Sequence, residues 1–220
     1  MAEELPDLLT HVDPDELATA LVVAWRALMG ENPVRESILI LLAQSALETG
    51  YWKGCHCWNL GNVKSHDGDG RDYTYYRCSE VKDGEMVWFS PPSPECRFRA
   101  YRSLYEGAAD HLAFMSGMRR YSKAWAALLA GQPRAFVREL KSGGYFTSAV
   151  EPYENAVAGI FAKYQGSLRF AVSEIPVIDD ETRDRTMALV AERLREEGAE
   201  LVDAEEHDQG DTTDDGTPNA

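Results

Sequence analysis

The 220-residue sequence predicts an α+β fold, mainly helical, with a small β-hairpin lobe inserted among the helices. Three observations carry this reading. Apolar runs at helical spacing, opened by capping residues, occupy the stretch before Gly50 and the stretch after Ser103. Between them, from Tyr51 to about Arg99, the pattern changes to Gly, Asp, Pro, aromatics and short alternating pieces. A hydrophobic content of 44% over this length supports one sizeable core without disulfides or metals.

Taken in order, Asp13-Pro14-Asp15-Glu16 supplies an N-cap, a proline at the first helical position and acids in the first turn. The helix it opens runs from Leu17 to Met29 and stops at Gly30. Asn32-Pro33 opens a second helix through Ile38-Leu39-Ile40-Leu41-Leu42 to Glu48 and Gly50. It is apolar on nearly every side, which marks it as central and buried. In the lobe, Tyr73–Arg77 and Glu85–Phe89 read as strands joined through Lys82-Asp83-Gly84 as a hairpin. Ser103 with Glu106 three residues later forms a capping box for the run Ala108–Met115. Further helices are expected over Tyr121–Leu129, from Pro133 to Lys141, and from Pro152 to about Tyr164.

This arrangement places one domain at 1–172, with the lobe at about 51–99, and an acidic extension at 173–220. The formal charge of −15 is concentrated there: residues 174–220 carry 16 acidic and 4 basic side chains, leaving 21 and 18 for residues 1–173. A charged helix is expected over 181–197. The tail after it has too little apolar surface to offset its ordering entropy and should be disordered. A near-neutral domain without a Lys/Arg stripe excludes nucleic acid as a partner class. The longest apolar stretch, around Ile38–Ala43, is far short of the ~20 residues that cross a bilayer, so membrane insertion is not expected. No internal repeat, P-loop or dinucleotide-binding glycine pattern is present. The start MAEELPDLL lacks the basic and apolar regions of a signal peptide.

Glu48 stands out chemically. It lies in the last turn of the buried helix, where the macrodipole disfavours negative charge, and Tyr51, Trp52 and Trp58 follow closely to reduce its solvation. Both effects favour a protonated carboxyl, which is what a general acid needs to donate to a leaving oxygen. Its context is Ala43-Gln44, Glu48-Thr49-Gly50, Asn59-Leu60-Gly61 and Val63-Lys64, followed by Phe98-Arg99-Ala100-Tyr101-Arg102-Ser103, Asp110-His111-Leu112, Arg120-Tyr121, Gly144-Tyr145-Phe146-Thr147 and Pro152-Tyr153. In this order the segments resemble the glucosaminidase-type peptidoglycan hydrolases, glycoside hydrolase family 73 of the lysozyme-like superfamily, over about residues 36–165. There are departures: Tyr51-Trp52 replaces Trp-Gly, Asn62 stands where the family often has an apolar residue, and Ser148–Glu151 replaces a single Asp before Pro152.

The resemblance implies a lysozyme-like domain in which Glu48 is the catalytic acid. It also implies a second carboxylate on the β lobe, for which Glu80 is the choice and Glu85 and Glu95 the alternatives. Such a carboxylate stands at roughly 6.5–9.5 Å from the acid in inverting enzymes and roughly 5–5.5 Å in retaining ones. Sugars present apolar faces and hydroxyl rims, so Tyr145, Tyr153, Tyr121, Trp58 and Asn59 are the candidate groove residues; Trp25, Trp125 and Phe136 fit helical core patterns. Asn59 either orients an N-acetyl group or stabilises a turn.

Cys55, Cys57, Cys78 and Cys96 all fall in the lobe, as disulfides, free thiols or, with His56 or His66, a structural zinc site of unusual spacing. His66–Gly70 lacks the full calcium-loop pattern and reads as a solvated loop. The implied activity needs no cofactor and no catalytic metal. Its substrate is the glycan strand of peptidoglycan, cut after N-acetylglucosamine. The acidic tail offers a surface to a protein partner, and the expected setting is a phage particle or the cytoplasm of a host before delivery to the wall. Two other readings stay open: a lytic transglycosylase or muramidase working with Glu48 alone, and a non-catalytic wall-binding or assembly protein.

Overall fold

The computed structural model describes residues 2–68, 70–82 and 85–170, with the isolated positions 172 and 188. The helix expected over 181–197 and the tail after it lie outside the described residues, as do the hairpin turn positions 83 and 84.

Helix α1 spans Pro14–Met29, and Asp13 caps it as the sequence predicts, its carboxylate accepting the amide N–H groups of Asp15 and Glu16. Gly30 closes it at φ 71°, a left-handed position that glycine adopts without steric cost. Helix α2 spans Arg35–Glu48 and starts two residues later than Asn32-Pro33 suggests, because no side chain caps its first turn. Residues 37–46 are all buried, so α2 is the central helix, packed on α1, α4 (Ser122–Leu129) and α6 (Val150–Gln165). Helix α3 (Leu104–Gly117) lies along α1, and α5 (Pro133–Ser142) bridges α4 and α6. Ser103 accepts the Glu106 N–H at 3.2 Å, and the returning Glu106 carboxylate takes the Arg102 N–H at 3.0 Å, one residue before the expected partner.

The lobe differs from the expected hairpin. Strand β1 (Tyr73–Tyr75) pairs antiparallel with β4 (Arg97–Arg99), across the lobe. The hairpin partner of β3 (Glu85–Phe89) is β2 (Cys78–Lys82), with Cys78 opposite Phe89 and Glu80 opposite Val87. Tyr73–Arg77 is therefore not one strand of the hairpin: the chain leaves the first sheet after Tyr75 and enters the second at Cys78. Residues 3–10 lace the lobe to the body, with Leu5 N–H donating to Tyr73 O, Thr10 N–H to Cys55 O and Cys57 N–H to Leu8 O. The base of the lobe holds a buried charge cluster: Arg99 Nη1 reaches both Asp110 oxygens at 3.1 and 3.0 Å, and Tyr101 OH donates to Asp110 at 2.5 Å.

Candidate active site

The end of α2 is fixed by its own carbonyl groups. Thr49 N–H and its hydroxyl both donate to Ser45 O, Tyr51 N–H to Ala46 O and Gly50 N–H to Leu47 O. The next carbonyl, that of Glu48 itself, accepts Asn62 Nδ2 at 2.7 Å. Asn62 is held in turn by the Tyr76 hydroxyl, which donates to its Oδ1 at 3.1 Å. Its polar side chain at a position usually apolar thus serves the helix end. Gly50, Tyr51 and Trp52 are successive left-handed residues at φ 59°, 57° and 60°, a sharp exit that costs roughly 1–2 kcal/mol at each non-glycine position. Trp52 turns inward, where its Nε1–H donates to Ser45 Oγ at 3.0 Å.

Half-buried Glu48 thereby stands in a cleft of about 540 Å³. One wall belongs to the lobe side, with Asn62, Lys64, His66 and Glu80. The other belongs to the helices, with Phe114, Met118, Tyr121 and Tyr145. Tyr153 OH donates to Glu48 Oε1 at 2.5 Å, and Gln44, one turn earlier on α2, donates through Nε2 to Tyr145 OH at 2.6 Å. Burial raises the Glu48 pKa above the usual carboxylate range, and the hydrogen bonds of Tyr153 and Gln44 offset this only in part. Tyr153 and Tyr145 are themselves pushed up, first by burial and then by the Glu48 charge. Both phenols are thus held in the protonated form, Tyr153 as donor to Glu48 and Tyr145 as acceptor from Gln44.

The enclosing aromatics thus come from α6 and the loop before it. Of the three near-neighbours in sequence, Tyr51 is 46% exposed under the Lys163 ammonium and Trp52 packs on Ser45. Trp58 is half-buried against the core and is not among the residues lining the cleft. Asn59 does not reach the cleft either. It is buried, its Nδ2 donates to Val63 O and Arg99 O, both at 2.9 Å, and its Oδ1 accepts Val63 N–H at 2.8 Å. With both ends of the amide engaged, Asn59 builds the turn between cleft and lobe. Tyr121 lines the wall but is buried, edge-on to Tyr145 at 5.7 Å.

Among the lobe acids, Glu80 lines the cleft with Glu48, and its Oε1 meets Lys64 Nζ at 2.9 Å. Glu95 lines an adjoining recess of about 520 Å³ and is held ionised by the Ser93 hydroxyl and by Lys82 at 3.3 Å. Glu85 lies exposed at the far end of the hairpin, opposite Lys82. Sequence reasoning assigned no role to Gln44 or Lys64. The spacing of Gln44 to Glu48, four residues on one helix, was the available signal for the first; Lys64 needs the lobe's tertiary structure to come near Glu80. Among the described residues no three His, Cys, Asp or Glu side chains converge as metal ligands, and Asp67 of the glycine-rich loop pairs with Arg97.

The domain is thus mainly helical α+β and lysozyme-like, with a half-buried carboxyl among the residues lining the cleft beside its lobe. Residues 24–166 match the Glucosaminidase family, described as mannosyl-glycoprotein endo-beta-N-acetylglucosaminidase, and the chain belongs to that family. A peptidoglycan hydrolase mutant from Sphingomonas sp. A1 shares the fold, with a TM-score of 0.50 and 24% identity over 80% of this chain and 99% of that one. A C-terminally truncated glycoside hydrolase domain from Salmonella typhimurium FlgJ is similar at a TM-score of 0.46, with 20% identity over 70% and 98% of the two chains. The catalytic domain of the autolysin Auto from Listeria monocytogenes is similar at 0.47, with 16% identity over 72% and 88%. No curated protein matches the chain.

Proposed function

We propose that this glucosaminidase hydrolyses the glycan strands of peptidoglycan, cutting after N-acetylglucosamine, with Glu48 as general acid and Glu80 as the second carboxylate. The observation that carries the reading is the state of Glu48, a half-buried carboxyl with a raised pKa facing a trough open to a polymer. In this reading Glu48 protonates the glycosidic oxygen as the sugar gains oxocarbenium character. The Tyr153 phenol then stabilises the carboxylate left behind. Glu80, paired with Lys64, activates water or offsets the cationic ring. Tyr145 lines the cleft as a contact for the sugar, its hydroxyl held by Gln44.

The Lys64–Glu80 pair supports a second reading. A carboxylate occupied by an ammonium is a poorer base, and a lytic transglycosylase needs only Glu48, since the sugar's own 6-hydroxyl attacks. Mass spectrometry of purified walls digested by the wild-type protein and by Glu80→Gln separates the two. Reducing N-acetylglucosamine ends from wild type, with a loss of rate in the variant, are expected. 1,6-Anhydromuramic ends at undiminished rate would replace the proposal with the second reading. Wall binding without release of soluble fragments would leave neither.

A further inference from the structure

The β lobe contains a pair of thiols that the glycosidic chemistry does not use. Cys78 opens β2, and Cys96 ends the short 3₁₀ helix Pro94–Cys96 ahead of β4. Their sulfurs lie 3.9 Å apart. The backbone keeps the two segments adjacent, since Tyr76 N–H donates to Cys96 O at 3.1 Å where the β1–β4 ladder ends. A disulfide brings the sulfurs to about 2 Å, and rotation about the Cα–Cβ bonds spans a gap of this size. Cys96 is fully buried, whereas Cys78 is partly accessible. Burial raises the thiols of Cys55, to about 11, and of Cys96 alike, and Cys57 and Cys78 each donate to a carbonyl, Pro6 O at 3.3 Å and Glu95 O at 3.0 Å; the close approach of the two sulfurs is what marks Cys78 and Cys96.

We infer that Cys78 and Cys96 form a disulfide site, oxidised by a disulfide donor of the glutathione type, and that the bond fastens the root of the hairpin carrying Glu80 to the β1–β4 sheet. The accessible Cys78 thiolate attacks one sulfur of the donor, forming a mixed disulfide and releasing one thiol. The Cys96 thiolate then attacks the Cys78 sulfur and releases the second. Two protein thiols lose two protons and two electrons, and the donor gains both as two thiols. Among the described residues the two sheets share no ladder hydrogen bonds; the connecting segments, the Cys78 thiol donating to Glu95 O at 3.0 Å, and the ion pairs Glu80–Lys64 and Lys82–Glu95 tie the hairpin to the rest of the lobe, and none of these is a covalent cross-link. Glu80 lies two residues from Cys78 on the same face of β2, so the bond limits the movement of this acid relative to the cleft.

The test uses the full-length protein, reduced and then exposed to oxidised glutathione. Thiols are counted by alkylation under denaturing conditions, and peptides are mapped without reduction. The four alkylatable cysteines should fall to two, the mass should drop by about 2 Da, and the linked peptides should contain Cys78 and Cys96. Cys78→Ser and Cys96→Ser should each eliminate the link. Proteolysis within residues 78–96 should be slower in the oxidised protein than in the reduced protein. Four thiols remaining, a link through Cys55 or Cys57, or a glutathione adduct persisting on Cys78 would overturn the inference. The readout is covalent and independent of hydrolysis, so its outcome and that of the proposed activity are separate.

Discussion

Replacing Tyr153 by Phe removes one hydrogen bond from Glu48 and little else. The ring that stacks on Phe146 at 4.3 Å and 5° is retained, so the fold should be unaffected. The phenol donates to Glu48 Oε1 at 2.5 Å, and the acceptor changes from a neutral carboxyl to a carboxylate as the proton leaves for the substrate. A bond between neutral groups contributes about 0.5–1.5 kcal/mol and one to a charged acceptor about 1.5–3 kcal/mol. The gain on ionisation is then roughly 1–1.5 kcal/mol, and losing it should lower kcat about five- to twelvefold. Tyr153 also restrains the pKa of Glu48 by favouring the ionised form, so its removal raises that pKa further. The acid is active when protonated, and rate falls as pH rises through its pKa. The alkaline limb of the kcat profile should therefore move to higher pH in Tyr153→Phe. Turbidity clearing of purified walls, followed across pH for both proteins, reads both effects. An unchanged rate, or a limb that stays in place or moves to lower pH, would refute the role given to this contact.

The remaining predictions concern the frame around the site. Asp110→Ala removes the buried carboxylate that the Arg99 guanidinium and the Tyr101 hydroxyl share and should cost about 3–5 kcal/mol of stability, measured by denaturant unfolding; a loss under 1 kcal/mol would contradict it. In Gly107→Ala the new Cβ would stand 2.1 Å from the Trp58 carbonyl oxygen. Helix α3 must then shift from the loop, at about 1–3 kcal/mol, seen as a lower thermal midpoint. Burial lowers the His111 pKa from 6.5 to about 4, against the attraction of Asp110. Between those values the unfolded chain binds the proton that the folded chain refuses. Stability is thus fully present above pH 6.5 and lost as pH falls towards 4, by about 3 kcal/mol from this group. His111→Gln should remove that portion of the slope, and unfolding curves at pH 7 and pH 4 check it.

The helices were legible because their signals are local. Asp13 caps α1, Ser103 and Glu106 cap α3, and the all-round apolar face of α2 marks it as central. The lobe was less legible because its pairing is not local. Tyr73–Tyr75 finds Arg97–Arg99 more than twenty residues away, and that choice leaves Cys78–Lys82 to pair with Glu85–Phe89. Alternation marks Tyr73–Arg77 and Glu85–Phe89 as strands without naming their partners, and it does not mark Cys78–Lys82 or Arg97–Arg99. The same limit applies to the site. Glu48 could be singled out from its place at the helix end, but the groups that enclose it, Tyr145 and Tyr153, are about a hundred residues further on. Asn59 reads from sequence as either an N-acetyl contact or a turn residue, and the approach of Arg99 and Val63 decides for the turn. Gln44 lies inside an apolar helix, where its four-residue spacing from Glu48 is the sign of its place beside the acid.

Glu48→Gln tests most directly whether Glu48 is the proton donor, because the amide keeps the shape and loses the transferable proton. General acid catalysis contributes typically 10²–10⁴-fold. The rate of soluble fragment release from purified walls should fall by about that factor, with binding to the walls retained. A variant that releases fragments as fast as wild type would remove Glu48 from the mechanism and contradict the account.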